Sequence, residues 1–368
     1  MATVKLCLVM IVKNESSIIE RMLNSIGSIL DYICIEDTGS EDNTVEIIEK
    51  WGAEHHIPTT VHTNPFKNFG YNRTSSYRVA AETYPDSTHF ILSDADFVWE
   101  VKPEFNKKIL ILPKYSVDQV SDNLINNNIR IISNKIKWEC VGVTHEFWQE
   151  ITDKDLPSAR LKTLIIKDLH DGGCKSDKFE RDERLLKAAL EDPDEKDFTK
   201  ARYTFYLGQT LNCLKRYEES TSYYEQRIEK GSKYGYDEVY YSYYQIGGNY
   251  ESLKQYDLAE EYHLKAWEYD KQRNESLCAL ASMHRKNEEY QKAYDVAMLG
   301  INNKLDSYKL FTEPKCYSYK LQFELSIVCY YIKRLDEGQK AIEFLIENRH
   351  LLYRSEWKLV KGNSKFYL

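Results

Sequence analysis

The chain has 368 residues, 42% hydrophobic and 29% charged, with a formal net charge of −8 at neutral pH. That length is natural for two domains. The charge excludes a general nucleic-acid binder, which needs a basic face, and no segment reaches the ~18 apolar residues of a membrane-spanning helix.

The eight Cys are scattered, without a CxxC pair or zinc-site spacing, and read as reduced thiols of a cytoplasmic protein. The N-terminal run LCLVMIV is too short for a signal peptide and lacks a small-residue cleavage site. Asn14-Glu-Ser, Asn72-Arg-Thr and Asn274-Glu-Ser fit the glycosylation triplet. Two of them fall in segments assigned below to the candidate site, where a glycan would block it.

Up to about residue 175, short apolar runs alternate with amphipathic stretches. KLCLVMIV (5–12) reads as a buried strand. A helix follows from Ser16 or Ser17, with Ile18, Ile19, Met22, Leu23 and Ile26 at helical spacing, Ser16 as N-cap and Gly27 near its end. YICIED (32–37) is a strand, TGSEDNT a turn and VEIIEKW (45–51) a helix. TTVHT (59–63), a helix over FGYNRTSSYRVAAETY and a strand over HFILSDAD continue the alternation. This rhythm predicts a mostly parallel sheet with helices on both faces. NNNIRIIS, WECVGVTHEFW and LKTLIIKDLH are strand-like and are expected as an antiparallel extension.

After HDGGC the pattern turns helical, rich in Tyr, Glu, Lys and Ala. Residues 205–226, 244–266 and 278–298 superimpose without gaps, and 323–345 is a worn fourth copy. Leu207, Ile246 and Leu280 align; so do Gly208, Gly247 and Ala281, and Ser220, Ala259 and Ala293. Small residues where paired helices cross, at a period near 34 residues with insertions, resemble the tetratricopeptide repeat and predict an α-solenoid.

In an open α/β sheet, ligands bind at the carboxyl ends of the strands. Here those ends read VKNES, EDTGSEDNT and DAD. Two carboxylates and a nearby His can hold Mg²⁺ or Mn²⁺, and such an ion stabilises a departing diphosphate. Plainer readings stand beside this one. Asp94 and Asp96 could cap a turn, Asp37 could open an Asx-turn before Thr38-Gly39, and Lys13, Asn14 and Glu15 could be a solvated helix start. Arg73 could make a surface ion pair, and Trp138 and Trp148 could be core or a sugar platform.

MIVKNESSIIERMLNSI, YICIEDTGSEDNT, NFGYNRTSSYRVA and FILSDAD, in this order and spacing, resemble family 2 glycosyltransferases of the GT-A fold. More narrowly, the chain resembles the branch with tetratricopeptide-like repeats behind the catalytic domain. The resemblance implies a catalytic domain over 1–175 and repeats over 176–368. It implies an inverting, metal-dependent hexosyl or N-acetylhexosaminyl transfer from a nucleotide-sugar, UDP-linked first, to an unidentified protein, glycan or lipid acceptor. Asp37 would contact the base or ribose, Asp94 the ribose and metal, and Asp96 the metal directly. Lys13, Asn14 and Glu15 would line the nucleotide pocket, and Arg73 would reach the diphosphate or order the acidic pair. Thr74 stands where the family often has Asn. Glu146 would be the acceptor's base, and His170, with His145 as runner-up, would complete the metal shell. The repeats would dock acceptor or partner, or pair two copies in a homodimer. Two rivals remain: an inactive scaffold that binds a peptide or protein, and a nucleotidyltransferase, whose Gly-rich basic loop KNESS is not.

Overall fold

The structure, a computed structural model, describes residues 3–121, 124–152, 156–172, 177–306 and 309–367. The chain divides into two compact units, Met1–Leu185 and Leu186–Leu368.

The first unit opens with β1 (Leu6–Val12), α1 (Ile19–Ile26), β2 (Tyr32–Asp37), α2 (Thr44–Glu54) and β3 (Thr59–Thr63). α3 (Phe69–Thr83), β4 (His89–Leu92) and β5 (Phe97–Val101) follow. β6 (Lys114–Ser121), β7 (Leu124–Ser133), β8 (Trp138–Val141), β9 (Phe147–Glu150) and β10 (Ser158–Asp168) complete the strands, before α4 (Lys178–Glu191). Eight strands form one sheet in the order β3-β2-β1-β4-β7-β6-β10-β5. β1 to β4 are parallel, whereas β7 joins β4, β6 joins β7 and β5 joins β10 antiparallel.

Strand alternation builds both cores. Leu6, Leu8 and Met10 pack with Ile19, Met22, Leu23 and Ile48 on one face; Cys7 and Val9 pack with Tyr77, Ala80 and Trp138 on the other. Each fully buried Leu or Met side chain contributes roughly 1.5–3 kcal/mol. Helices therefore cover both faces, as the alternation implied.

Three local expectations are corrected. Ser16 is not a cap: α1 starts at Ile19 without a side-chain cap, and the Ser16 N–H instead donates to Asp42 Oδ2 at 3.1 Å. The fourth strand stops at Leu92, because the Phe97 N–H bonds back to the Asp94 carbonyl and closes a turn. WECVGVTHEFW does not extend the sheet; β8 and β9 form a separate two-stranded ribbon against α3. Within it Trp138 is fully buried and donates to the Ser133 carbonyl at 2.8 Å, a core role.

The second unit pairs α5 (Asp197–Cys213) with α6 (Tyr217–Glu229), α7 (Tyr236–Ser252) with α8 (Tyr256–Tyr269), and α9 (Glu275–Lys286) with α10 (Tyr290–Gly300). A short α11 (Pro314–Ser318) precedes the pair α12 (Lys320–Tyr331) and α13 (Leu335–Glu347), and α14 (Arg354–Asn363) ends the array. The aligned small residues sit at the crossings. A Cβ on Gly208 would meet the Tyr224 ring at 3.0 Å, one on Gly247 the His263 ring at 2.6 Å, and Ser220, Ala259 and Ala293 are fully buried. This is the repeated helix-pair architecture expected of the tetratricopeptide-like half.

Candidate active site

β4 lies between β1 and β7, whereas β5 lies at the far edge beside β10. Asp94-Ala95-Asp96 is the turn where the chain leaves the middle of the sheet for its edge. A cleft of about 500 Å³ opens there, bordered by Lys13, Glu15, Arg73, Asp94, Asp96 and Arg130 among others.

The NFGYNR block explains how Arg73 arrives. Asn68 caps α3 by accepting the Tyr71 N–H at 2.8 Å. Gly70 lets the helix approach β8 so closely that a Cβ would lie 2.5 Å from the Gly142 carbonyl oxygen. Asn72, fully buried, donates to the buried Glu36 carboxylate at 2.8 Å and accepts the Lys67 N–H at 2.9 Å. Its glycosylation triplet is thus inaccessible in the fold. Thr74 accepts the Cys140 N–H at 2.9 Å, tying α3 to the ribbon.

So anchored, Arg73 donates through Nη2 to Asp94 Oδ1 at 2.5 Å and through Nε to Glu146 Oε1 at 2.7 Å. Arg130 stands 3.6 Å from the other Asp94 oxygen, and its guanidinium lies 4.7 Å over the Phe97 ring. Burial opposes all of these charges. For Asp94 the two arginines outweigh it and hold the carboxyl below its ordinary range. For Arg73 burial is outweighed by Asp94 and Glu146, and its pKa rises. Arg130 is pulled down, by burial first and also by Arg73.

A second set of groups meets Asp96. Asp96, Asp168 and His170 each offer one ligand atom, all within 4.8 Å of one another. β10 ends at Asp168 opposite Phe97 in register, which brings the two carboxylates together. Gln119 on β6 orients Asp168: its Nε2 donates to Asp168 Oδ2 at 2.6 Å, while its Oε1 accepts from Arg130 Nη2 at 2.9 Å. His170 has a left-handed backbone (φ 52), with Nδ1 3.0 Å from Asp168 Oδ1 and Nε2 2.6 Å from Ser121 Oγ. Two carboxylates and an imidazole at an accessible cleft suit Mn²⁺ or Mg²⁺. A cation there would displace one of the two partners of the His170 ring.

The structure therefore brings Asp96 and His170 together, and sets Asp94 among arginines instead. Lys13 and Glu15 line the cleft. Asn14, at φ 55, serves the loop: its Oδ1 accepts the Glu41 N–H at 2.8 Å, and its own N–H donates to Ser40 Oγ at 2.9 Å. Asp37 takes the turn role, accepting the N–H groups of Gly39 and Ser40 at 3.2 and 3.1 Å. Glu146 is held by Arg73. His145, at φ 51, lies outside the Asp96 group. Sequence reasoning missed Asp168, Gln119 and Arg130. Asp168 lies two residues before His170 in a stretch already singled out, but neither Gln119 nor Arg130 carries a local signal.

Residues 7–131 match the family model described as glycosyl transferase family 2. The chain carries a family 2 glycosyltransferase domain. Solved structures similar to the chain include MamA, at 14% identity over 47% of this chain and 89% of that one, with a TM-score of 0.37. Another is YrrB, a TPR protein with an unusual peptide-binding site, at 16% identity, 44% and 73% coverage and a TM-score of 0.34. A third is a tetratricopeptide repeat protein from Parabacteroides merdae, at 16% identity, 51% and 66% coverage and a TM-score of 0.39. No curated protein matches the sequence significantly. Among the described residues, no helix is long and apolar enough to cross a membrane.

Proposed function

We propose that the glycosyltransferase domain moves a hexosyl or N-acetylhexosaminyl group from a nucleotide-sugar, a UDP-sugar first, to an acceptor nucleophile with inversion. The observation that carries this reading is the convergence of Asp96, which lies in the family-matched residues 7–131, with Asp168 and His170 from beyond them at one cleft. These three would hold Mn²⁺ or Mg²⁺, which when bound supplies charge stabilisation to the leaving diphosphate.

The remaining work falls to the chain's own groups. Arg73 and Arg130 fix the Asp94 carboxylate as an ionised acceptor, suited to a ribose hydroxyl. Lys13 borders the same cleft and offers a cation to phosphate oxygens. Glu146 as the acceptor's base would have to act while Arg73 holds one of its oxygens, an arrangement that keeps the carboxylate oriented. The repeats dock the acceptor or a partner protein through their extended surface.

Calorimetric titration of UDP in Mn²⁺ and in EDTA, on the parent and on Asp96→Ala, tests the proposal. Binding that requires the metal and vanishes with Asp96 supports it. Absence of binding to UDP, GDP and other nucleotides under both conditions would instead favour an inactive scaffold.

A further inference from the structure

Residues 301–313 join α10 to α11, a longer connection than those between the earlier pairs. Part of this connection folds back onto the first helices of the pairs. The Phe311 ring sits 5.3 Å from Phe205 of α5 and 4.8 Å from Tyr241 of α7. Its carbonyl accepts Arg273 Nη2 at 2.9 Å, just before α9. The Leu310 N–H donates to Asp237 Oδ2 at 3.0 Å, and the Glu313 N–H donates to Glu275 Oε1 at 3.0 Å. Lys309 Nζ donates to Asp270 Oδ2 at 2.5 Å. Buried and half-buried side chains thus read main-chain donors and an acceptor in turn, with one slot for a ring and one for a cation. That is the chemistry by which a groove holds an extended peptide.

We propose that Lys309–Glu313 is a built-in ligand, seated where an extended segment of a partner protein docks. The partner segment would place a basic residue two positions before an aromatic one, as Lys309 precedes Phe311. The inference rests on the docking role proposed above for the repeats and gives that role a location and a gate.

Two observations make the segment displaceable. Phe311 has a left-handed backbone (φ 57), a conformation disfavoured for a residue with a side chain. A peptide not tethered to α10 and α11 can reach the ring slot without it. Arg273 also keeps partners when the segment lifts: it donates to Asp237 at 3.1 Å and Glu275 at 3.2 Å, and lies 4.0 Å over the Tyr240 ring. The tether adds to the segment's own contacts an effective concentration of about a millimolar.

The test uses the full chain and a fluorescein-labelled peptide, Lys-Leu-Phe-Thr-Glu-Pro, followed by anisotropy. Phe311→Ala should bind it at least about tenfold more tightly than the parent, and the same peptide with Ala for Phe should bind neither. A folded Phe311→Ala chain that ignores the peptide at millimolar concentration overturns the proposal. Hydrogen exchange on the unmutated chain decides the matter if that variant does not fold. Excess peptide should speed exchange of the Leu310 and Glu313 amides, and unchanged rates overturn the proposal. Flat results in both experiments, alongside repeat-surface variants that still impair acceptor use, would leave docking intact and place it elsewhere.

Discussion

Both units bury arginine–carboxylate pairs, with different surroundings. In the glycosyltransferase domain Arg73, Asp94 and Arg130 border a cleft of about 500 Å³. In the repeats Arg227 is fully buried and spends each guanidinium nitrogen on the protein: Nε on Glu238 at 2.9 Å, Nη1 on the Gly231 carbonyl at 3.0 Å, and Nη2 on the Gly235 carbonyl at 2.9 Å. The second arrangement staples a turn; the first holds charges beside space for a ligand. A buried ion pair becomes a functional signal when its groups face a cavity, and otherwise describes architecture.

The largest effect should come from the carboxylates facing the cation position. Asp96→Ala or Asp168→Ala should abolish Mn²⁺-dependent UDP binding. Gln119→Leu, which frees Asp168 and removes an acceptor of Arg130, should weaken Mn²⁺ binding by roughly 10–100-fold. Arg227→Met should leave it unchanged. Direct Mn²⁺ titration by paramagnetic resonance checks all four, and equal effects in both units would break the comparison.

Stability sharpens it next. Removing Arg73 or Arg227 takes the hydrogen-bonded guanidinium from Asp94 or Glu238 and leaves only a cation 3.6 Å away, so each Arg→Ala change should cost up to about 3–5 kcal/mol in denaturant unfolding. Replacing both partners by apolar residues separates the two sites. Arg227→Met with Glu238→Leu should return stability close to the parent and keep nucleotide binding. Arg73→Met with Asp94→Leu should recover only part of the loss, because Glu146 and Arg130 each lose a partner, and should not restore binding.

The contrast also governs what the chain disclosed before folding. The parallel half of the sheet was legible, since apolar runs and amphipathic helices alternate there, and so were the repeats, whose small residues recur at helix crossings. The Asp96–His170 pairing was legible only through resemblance. Asp168 needs the register of β10 against β5, and Gln119 needs β6 beside β10; both are long-range pairings that a one-dimensional pattern does not encode. The ribbon β8–β9 was misread because its alternation fits a sheet edge as well as a separate pair, and only the Gly70 approach and the Thr74 bond decide.

Acidification should split two carboxylates of the same domain in opposite directions. Asp94 is held below its ordinary range by arginines that outweigh its burial, so the stability it contributes is present above that range and is lost as pH falls through its lowered value. Asp182 of α4 is pushed up by burial, against the pull of Arg181. Its contribution is present below the ordinary carboxylate range and is lost as pH rises through the raised value. At neutral pH, Asp94→Asn should therefore lower the melting temperature and Asp182→Asn raise it. Both differences should shrink in acid. Melting curves from pH 3 to 7 read the two signs, and like signs would refute the assignment of causes.

The smallest effect isolates a single methyl group. At Gly70 the added carbon would lie 2.5 Å from the Gly142 carbonyl oxygen and 2.7 Å from that of Cys140, both main-chain atoms that cannot yield without shifting the ribbon. At Gly208 the nearest atoms it would meet belong to the Tyr224 ring, at 3.0–3.1 Å, and the third repeat already carries Ala281 at the equivalent crossing. Ala also favours a helix over Gly by roughly 1 kcal/mol, which offsets a slight displacement of the ring. Gly70→Ala should thus cost about 1–2 kcal/mol and loosen Arg73 with it, whereas Gly208→Ala should stay within about 0.5 kcal/mol of the parent. Unfolding of the two variants side by side measures this, and a Gly208→Ala loss as large as that at Gly70 would show that the repeat crossings are as unyielding as the backbone contact beneath the cleft.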